Sequence, residues 1–283
     1  MKLFRHGEPG HEKPGLLGAD GRRRDLSGVV DDISPHTLAD EQLERLRALD
    51  PASLPEVGTD VRLGPPVSPI RKIVCIGLNY SDHAAESGMA IPAEPVVFMK
   101  ADTSICGPHD DVILPRDAHK TDWEVELGVI IGREARYVDE ADALSHVAGY
   151  CVVNDVSERA LQLEGTGQWT KGKSHDGFCP LGPVLTTRDE VPDPQALDLW
   201  LDLDGERVQT GNTGLMIFSL AHVIAYLSRL MTLRPGDLIS TGTPPGVGAG
   251  MKPPRFLEAG QRMRLGIQGL GDIEHVTIRE PER

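Results

Sequence analysis

The chain has 283 residues, 39% of them hydrophobic, so it is long enough to bury a full core as one large domain or as a large and a small one. Its 43 acidic and 29 basic residues give a formal net charge of −14, which argues against nucleic acid or an anionic membrane as a partner, because either would require a basic surface. No run approaches the roughly 20 apolar residues of a membrane span, and the opening residues lack the apolar stretch of a signal peptide.

Short strand-like pieces and one helical pattern make up residues 1–66. The helical pattern is TLADEQLERLRALD, in which Leu43, Leu46 and Leu49 recur at about helical spacing after a Thr/Asp start. The proline-rich stretch LGPPVSPIRK follows and precedes a strongly apolar run, as is typical of a boundary. We therefore predict a small N-terminal α+β domain over residues 1–66 and a catalytic domain over residues 67–283.

From residue 67 onward the chain offers many short strand-like runs separated by Gly, Pro and Asp turns. These runs are KIVCIGL, PVVFMK, WEVELGVIIG, GYCVVND, LDLWLDLDG and DLISTG. The clearest helix in this part is SLAHVIAYLSRLM. The pattern favours a strand-rich α+β fold, a barrel or sandwich with few helices, over a doubly wound α/β sheet.

The four cysteines are widely spaced and lie mostly inside apolar runs, and they form no CxxC motif. They are Cys75, Cys106, Cys151 and Cys179. This usage is typical of buried free thiols in a reducing compartment, so we expect a cytoplasmic protein.

Three carboxylates in two strand-like segments predict a metal site. Glu124 and Glu126 are two residues apart in a strand and so project from one face, and Asp155 ends the run GYCVVND. Oxygen donors suit Mg²⁺ or Mn²⁺, and no Cys or His stands nearby at zinc-ligand spacing. Two ordinary alternatives stay open: the glutamates could lie on the solvated face of an antiparallel strand, and Asp155 could form a capping pair with Glu158.

Further polar residues accompany these carboxylates. His83 and Glu86 are three apart in GLNYSDHAAESG, where a carboxylate can orient an imidazole that activates water, although such pairs are also common on solvated helices. Lys171 and Lys173 flank a glycine in GQWTKGKSHDGFCPLGP; a lysine beside an acidic site could neutralise an enolate, whereas a surface position is the better reading for Lys171.

The glycine-rich stretch STGTPPGVGAG is neither a P-loop nor GxGxxG, so it does not indicate nucleotide binding. It is either a turn whose backbone N–H groups and Thr243 hydroxyl meet an anionic ligand or simply a tight turn.

Taken together and in order, six motifs over residues 70–250 resemble the fumarylacetoacetate hydrolase superfamily. The motifs are IGLNYSDHAAE, PVVFMK, DWEVELGVIIG, GYCVVNDVSERALQ, KGKSHDGFCPLGP and STGTPPGVG. The resemblance implies a fumarylacetoacetase C-terminal-like mixed β-roll catalytic domain, a homodimer, and Mg²⁺ or Mn²⁺ held by Glu124, Glu126 and Asp155. It implies catalytic roles for His83, Glu86 and Lys173, and substrate contacts from Lys100, Arg159, Gln162 and Thr243.

The opening MKLFRHGEPGHEKPGLLGADGRRRDLSGVVDDI is similar to that of bacterial superfamily members that hydrolyse 2,4-diketo-3-deoxy-L-rhamnonate or L-fuconate. The expected reaction on such a 2,4-dioxo acid is cleavage of the C3–C4 bond to pyruvate and a 2-hydroxy acid such as L-lactate. In it, water deprotonated by His83 attacks C4 while the metal and Lys173 hold the departing enolate. Two other hypotheses remain: an oxaloacetate decarboxylase or dienoate isomerase of the same superfamily, and a non-catalytic, metal-stabilised acid-binding protein.

Overall fold

Two main sheets organise residues 1–82 and 90–281, which are the part of the chain that this computed structural model describes. The strands of the larger sheet run in the order β3-β2-β1-β13-β11-β10-β16-β5-β6, with β4 paired to β1 and β7 paired to β13. Its strands are β1 (Lys2–His6), β2 (Lys13–Leu17), β3 (Arg23–Asp25), β4 (Leu63–Gly64), β5 (Ile73–Gly77), β6 (Val96–Lys100), β7 (Ile105–Cys106), β10 (Val125–Ile131), β11 (Val147–Asn154), β13 (Cys179–Thr187) and β16 (Leu238–Ser240).

The smaller sheet has five strands in the order β15-β14-β17-β18-β8. They are β8 (Val112–Leu114), β14 (Asp198–Leu203), β15 (Glu206–Asn212), β17 (Arg262–Ile267) and β18 (Gly271–Arg279). A separate pair joins β9 (Thr121–Asp122) to β12 (Ser157–Glu158). The α-helices that lie wholly within the described residues are α1 (Asp40–Arg47), α2 (Glu140–Ala143), α3 (Arg159–Leu163), α4 (Thr170–Lys173) and α5 (Leu220–Leu230). The prediction of a strand-rich α+β fold is confirmed.

The register of the central strands brings distant parts of the chain to one edge. Strands β10 and β11 are buried along their whole length, as their unbroken apolar runs require. Strand β10 is antiparallel to both β11 and β16, with Val125 opposite Asn154 and Gly128 opposite Ser240. The beginning of β10 therefore lies beside the ends of β11 and β16, and β5, which is parallel to β16, ends at the same edge.

The N-terminal segment continues the large sheet rather than lying apart from it. Strand β1 pairs with β13, where Lys2 is opposite Thr186. Leu3 and Leu43 pack in one apolar cluster with Ile73 and Leu238 of the later chain. The division into a small domain over residues 1–66 and a larger one over residues 67–283 stays a prediction.

Both predicted helices are present with slightly different ends. Helix α1 begins at Asp40, three residues later than the Thr/Asp start suggests, because the Thr37 hydroxyl donates to the Asp32 carbonyl and Ala39 is extended. Helix α5 follows Ser219, whose hydroxyl accepts from the backbone N–H of His222 and so caps the first turn.

The cysteines are free thiols, as predicted, although Cys106 is only half-buried while the other three are buried. In the described residues no helix combines the length and the apolar character needed to cross a bilayer.

One buried histidine makes the stability of this fold sensitive to acid. His275 on β18 is 1% exposed, and its Nδ1 lies 3.2 Å from the carbonyl oxygen of Asp110. Burial lowers the pKa of His275 to about 3 from its ordinary value of 6.5. Between these values the unfolded chain binds a proton that the folded chain does not, so the free energy of unfolding falls as pH drops from 6.5 towards 3.

We therefore expect His275→Gln to flatten the acid limb of a stability profile, by up to about 1.4 kcal/mol per pH unit. Chemical denaturation of both proteins between pH 7 and pH 4 measures this slope of the free energy of unfolding. Replacing the exposed His36 in the same way serves as the control. An acid limb of unchanged slope in His275→Gln would show that other groups govern the pH dependence.

Candidate active site

Three buried carboxylates meet at the edge formed by β10, β11 and β16. Glu124, Glu126 and Asp155 each offer an oxygen, and these oxygens lie within 4.8 Å of one another. All three residues are buried, so the alternative of a solvated strand face is wrong. The capping alternative for Asp155 is also wrong, since α3 begins only at Arg159 and the Glu158 side chain makes no cap hydrogen bond. The predicted convergence of the three carboxylates is confirmed.

Hydrogen bonds from the backbone and from Ser240 position the three residues. The backbone N–H of Asp155 donates to the Glu124 carbonyl at 2.9 Å, which locks the end of β11 to the residue before β10. Glu126 accepts from the Ser240 hydroxyl at 2.5 Å and from the backbone N–H of Gly242 at 2.9 Å. Gly242 has φ +100°, a conformation that a residue with a Cβ rarely adopts, and this turn aims its N–H at the carboxylate.

Three cations alternate with the carboxylates. Lys173 Nζ donates to Glu124 at 2.8 Å and to Asp155 at 2.6 Å. Lys100 Nζ donates to the other oxygen of Asp155 at 2.5 Å, and Arg159 pairs with Glu124 at 2.7 Å. The side chains of both lysines are almost completely buried. Buried charges of opposite sign at these distances compensate one another, which is what makes their burial tolerable.

Asp122 is a fourth carboxylate of the cluster, and the sequence analysis did not single it out. It pairs with Arg159 at 2.8 Å and accepts from the backbone N–H groups of Gly248 and Ala249. It thus connects the arginine to the glycine-rich turn. The signal was visible, because Asp122 precedes Glu124 and Glu126 in the same alternating pattern, TDWEVE.

The pKa values of Glu126, Lys173 and Arg159 are all raised. Burial raises the pKa of Glu126 well above its usual value, and the neighbouring charges of Asp155 and Glu124 raise it further. Burial alone would lower the pKa of Lys173, but Asp155 and Glu124 outweigh it and the net shift is upward. The pKa of Arg159 is likewise raised, by Asp122 and Glu124 against the effect of burial. Lys173 and Arg159 therefore remain cationic.

The donor set fits a divalent cation. Four carboxylates face three cations here, and Glu126 accepts hydrogen bonds from the neutral Ser240 hydroxyl and Gly242 N–H. With its pKa raised, Glu126 takes up a proton unless a further cation neutralises it, and hard oxygen donors of this kind favour Mg²⁺ or Mn²⁺. Such an ion would be held by Glu124, Glu126 and Asp155. Metal binding by these residues stays a prediction.

A cavity of about 470 Å³ opens onto this cluster, a size suited to a small organic ligand. Its polar lining comprises Glu124, Glu126, Arg159, Gln162, Lys173, Thr243 and Lys252. Its apolar lining comprises Ile76, Phe98, Leu163, Trp169, Val247 and Met251. Lys100 is not among the lining residues; it is buried against Asp155 and the Val156 carbonyl. Its predicted contact with substrate is untested.

Thr243 lines the cavity, yet its hydroxyl is already engaged. It donates to the Val125 carbonyl and accepts from Gln209 Nε2, both at 2.9 Å. Gln209 lies on β15 of the smaller sheet, and its side-chain oxygen accepts from the backbone N–H of Val125. No local sequence pattern marks Gln209, because the other residues of its strand are exposed or half-buried and only the packing of the two sheets brings it here.

Some of the remaining predicted residues lie within the described part of the chain and some lie outside it. Lys171 is exposed, as its surface reading predicts, while Lys173 on the same short helix is buried. Gln162 is buried and accepts from Arg159 at 2.9 Å. His83 and Glu86 lie outside the described residues, so their predicted role in activating water stays untested.

Comparison with known proteins places this site in a family. The model of the fumarylacetoacetate (FAA) hydrolase C-terminal family matches residues 72–278. A Burkholderia multivorans protein that carries the name "Putative hydrolase" is 62% identical over 278 residues, which are 98% of this chain and 99% of the relative.

Solved structures extend the similarity to two kinds of enzyme. Maleylpyruvate hydrolase from Sphingobium sp. SYK-6, solved with manganese(II) and pyruvate, is 28% identical with a TM-score of 0.82, covering 99% of this chain and 100% of that one. A structure from Mycobacterium abscessus, described as a probable 2-hydroxyhepta-2,4-diene-1,7-dioate isomerase, is 33% identical with a TM-score of 0.85, covering 100% of both chains.

We expect Glu126→Gln to weaken Mn²⁺ binding by at least about 100-fold, since even the loss of a residue that only supports a ligand costs 10–100-fold. Electron paramagnetic resonance of free Mn²⁺ during a titration measures this. Glu164→Gln, on an exposed glutamate paired with Lys120, is the control. Equal Mn²⁺ affinity in Glu126→Gln and the wild type would show that this carboxylate does not bind the metal.

Proposed function

The chain belongs to the fumarylacetoacetate hydrolase family, and from this membership we propose that it is a metal-dependent hydrolase that cleaves the C3–C4 bond of a 2,4-dioxo acid. We further propose 2,4-diketo-3-deoxy-L-rhamnonate or L-fuconate as the substrate, giving pyruvate and L-lactate. The observation that supports the proposal most directly is the alternation of Arg159, Glu124, Lys173 and Asp155, of which the first three line the cavity. A neighbour bound to manganese(II) and pyruvate agrees with it.

The acidic end of the cavity suits the half of the substrate that becomes pyruvate. A divalent ion on Glu124, Glu126 and Asp155 would act as a Lewis acid towards the 2-keto acid portion. Lys173 lies in the cavity wall with its ammonium held by two carboxylates, so a permanent positive charge faces the position where an enolate oxygen forms. Arg159 and Gln162 also line the cavity and offer donors to the substrate carboxylate.

The bond changes balance with a single water molecule. A base takes one proton from water, the resulting hydroxide adds to C4, and the adduct collapses by breaking the C3–C4 bond. C4 becomes the carboxyl of the 2-hydroxy acid, and C3 takes up a proton to complete pyruvate. We propose His83 as the base and Glu86 as the group that orients it, on the resemblance of GLNYSDHAAESG to the family motif.

The family also supports a second reaction. The Mycobacterium abscessus neighbour, described as a probable dienoate isomerase, is slightly more similar in sequence than the hydrolase with pyruvate. Isomerisation, like decarboxylation of oxaloacetate, passes through an enolate but consumes no water. The His83 base therefore separates these reactions from hydrolysis.

We retain two further proposals from the resemblance. The protein forms a homodimer, and Mg²⁺ or Mn²⁺ is its resident ion. Light scattering after size exclusion measures the first, and metal analysis of protein purified without chelator measures the second.

Hydrolysis is tested by incubating the purified protein and Mg²⁺ or Mn²⁺ with a panel of 2,4-dioxo acids. We expect stoichiometric release of pyruvate and the 2-hydroxy acid, and no carbon dioxide. His83→Ala should abolish this hydrolysis. If instead only oxaloacetate or a dienoate is converted, and His83→Ala retains that conversion, the second reaction is the correct one.

Two lysines on one short helix provide a matched pair of variants. We expect Lys173→Met to lower kcat by at least about 100-fold, because it removes a fixed charge that stabilises the developing enolate. Lys171→Met should leave kcat unchanged, since Lys171 is exposed. Thermal melting of both variants separates loss of catalysis from loss of fold.

A folded Lys173→Met protein with more than a tenth of the wild-type kcat would contradict the role of Lys173. Full turnover by Glu124→Gln in metal-supplemented buffer would favour the non-catalytic, metal-stabilised protein instead.

A further inference from the structure

An aromatic wall starts at Lys173 in the cavity. Lys173 Nζ lies 5.0 Å from the centre of the Phe98 ring, and the Phe98 ring lies 5.3 Å from that of Trp169 at an angle of 59°. All three side chains line the same cavity. A ligand that extends from Lys173 along this wall meets first the phenyl ring and then the indole.

The indole rests on a glycine that leaves room for it. A Cβ added to Gly77, the last residue of β5, would lie 2.3 Å from Trp169 Cζ3 and 2.8 Å from Cη2. Gly77 does not have the positive φ that would itself favour glycine. Glycine at position 77 therefore makes room for the indole and is not required by the backbone conformation.

The position of Trp169 is fixed by its neighbours, although the five residues before it are exposed. The hydroxyl of Thr170 donates to the Met99 carbonyl on β6 at 2.9 Å. The Trp169 carbonyl accepts from the backbone N–H of Gly172 at 3.0 Å. Trp169 is thus tied to α4, the helix that carries Lys173, and to the strand that carries Phe98.

The chemistry of the wall suits only one end of a 2,4-dioxo acid. The faces of aromatic rings carry partial negative charge, so they disfavour a carboxylate and favour hydrocarbon. Arg159 and Lys173 supply the cations that the carboxylate needs. The acyl group, which carries no charge, is therefore the part that packs on Phe98 and Trp169.

We propose that Trp169, seated on Gly77, is a specificity-determining residue that selects acyl groups ending in an apolar carbon. The inference rests on the proposed hydrolysis of 2,4-dioxo acids and narrows its substrate class. In a 6-deoxy sugar acid the C6 methyl packs against the indole. A C6 hydroxyl at the same place exchanges its water contacts for an aromatic surface, which costs binding energy.

Two substrates that differ by one oxygen test the selection: 5-hydroxy-2,4-dioxohexanoate and its 5,6-dihydroxy analogue. We expect the wild type to favour the 6-deoxy compound by about 10-fold in kcat/KM, mainly through KM, in line with discrimination by apolar pockets. Trp169→Ala should reduce this preference to less than about twofold. Equal preference in the wild type and Trp169→Ala would overturn the proposal.

Gly77 allows the same idea to be tested by a double-mutant cycle. Gly77→Ala should displace the indole and raise KM for the 6-deoxy substrate by about 10-fold. In the Trp169→Ala background, where nothing is left to displace, Gly77→Ala should cause no further change. Gly28→Ala, at an exposed glycine with open space around its Cβ, is the control. Equal losses in both backgrounds would show that Gly77 acts independently of Trp169.

A binding measurement distinguishes failure of this inference from failure of the proposed reaction. Stopped-flow mixing of the Mn²⁺-loaded protein with 5-hydroxy-2,4-dioxohexanoate should quench tryptophan emission before turnover, and Trp169→Phe should lose this phase. If the protein hydrolyses the substrate but the wild type and Trp169→Phe show the same quenching, the role of Trp169 is refuted and the proposed reaction is not. Quenching that requires Trp169, with no hydrolysis of any 2,4-dioxo acid, supports the subsite and refutes the reaction.

Discussion

The structure depends on the mutual neutralisation of charges that are buried together. Glu124 and Asp155 are each held by two cations, and Lys173 bridges them. Removing one member of such a pair costs about 3–5 kcal/mol, because it leaves its partner charged in a medium of low polarity. The cluster therefore constrains every element that supplies a member to it: β6, the start of β10, the end of β11, and helices α3 and α4.

The same arrangement that makes the cluster tolerable also prepares it for chemistry. The carboxylates that would hold a divalent ion are oriented by hydrogen bonds before any ligand arrives, and the pKa of Lys173 is raised so that it stays charged. A fixed positive charge needs no reorganisation when an enolate forms beside it. Family membership accounts for this end of the cavity, which hydrolysis and isomerisation can share.

The aromatic wall beside Lys173 has a different physical character from the carboxylate cluster. Phe98 and Trp169 offer aromatic surface and no charge, and their placement follows from the space above Gly77. If Trp169 selects the acyl group as proposed, the reaction type and the substrate depend on different residues.

The sequence by itself determined the strand-rich fold class, the helix of residues 220–230 and the three carboxylates, because alternation and apolar periodicity are local properties of the chain. Asp122 belongs to the same alternation, two residues before Glu124. Only the tertiary structure decided that Lys100 lies behind Asp155, that Gln209 reaches Thr243 from the other sheet, and that Trp169 packs on Gly77. Each of these contacts joins residues at least 34 positions apart, and the pairing of strands and the packing of sheets, which no short segment encodes, bring them together.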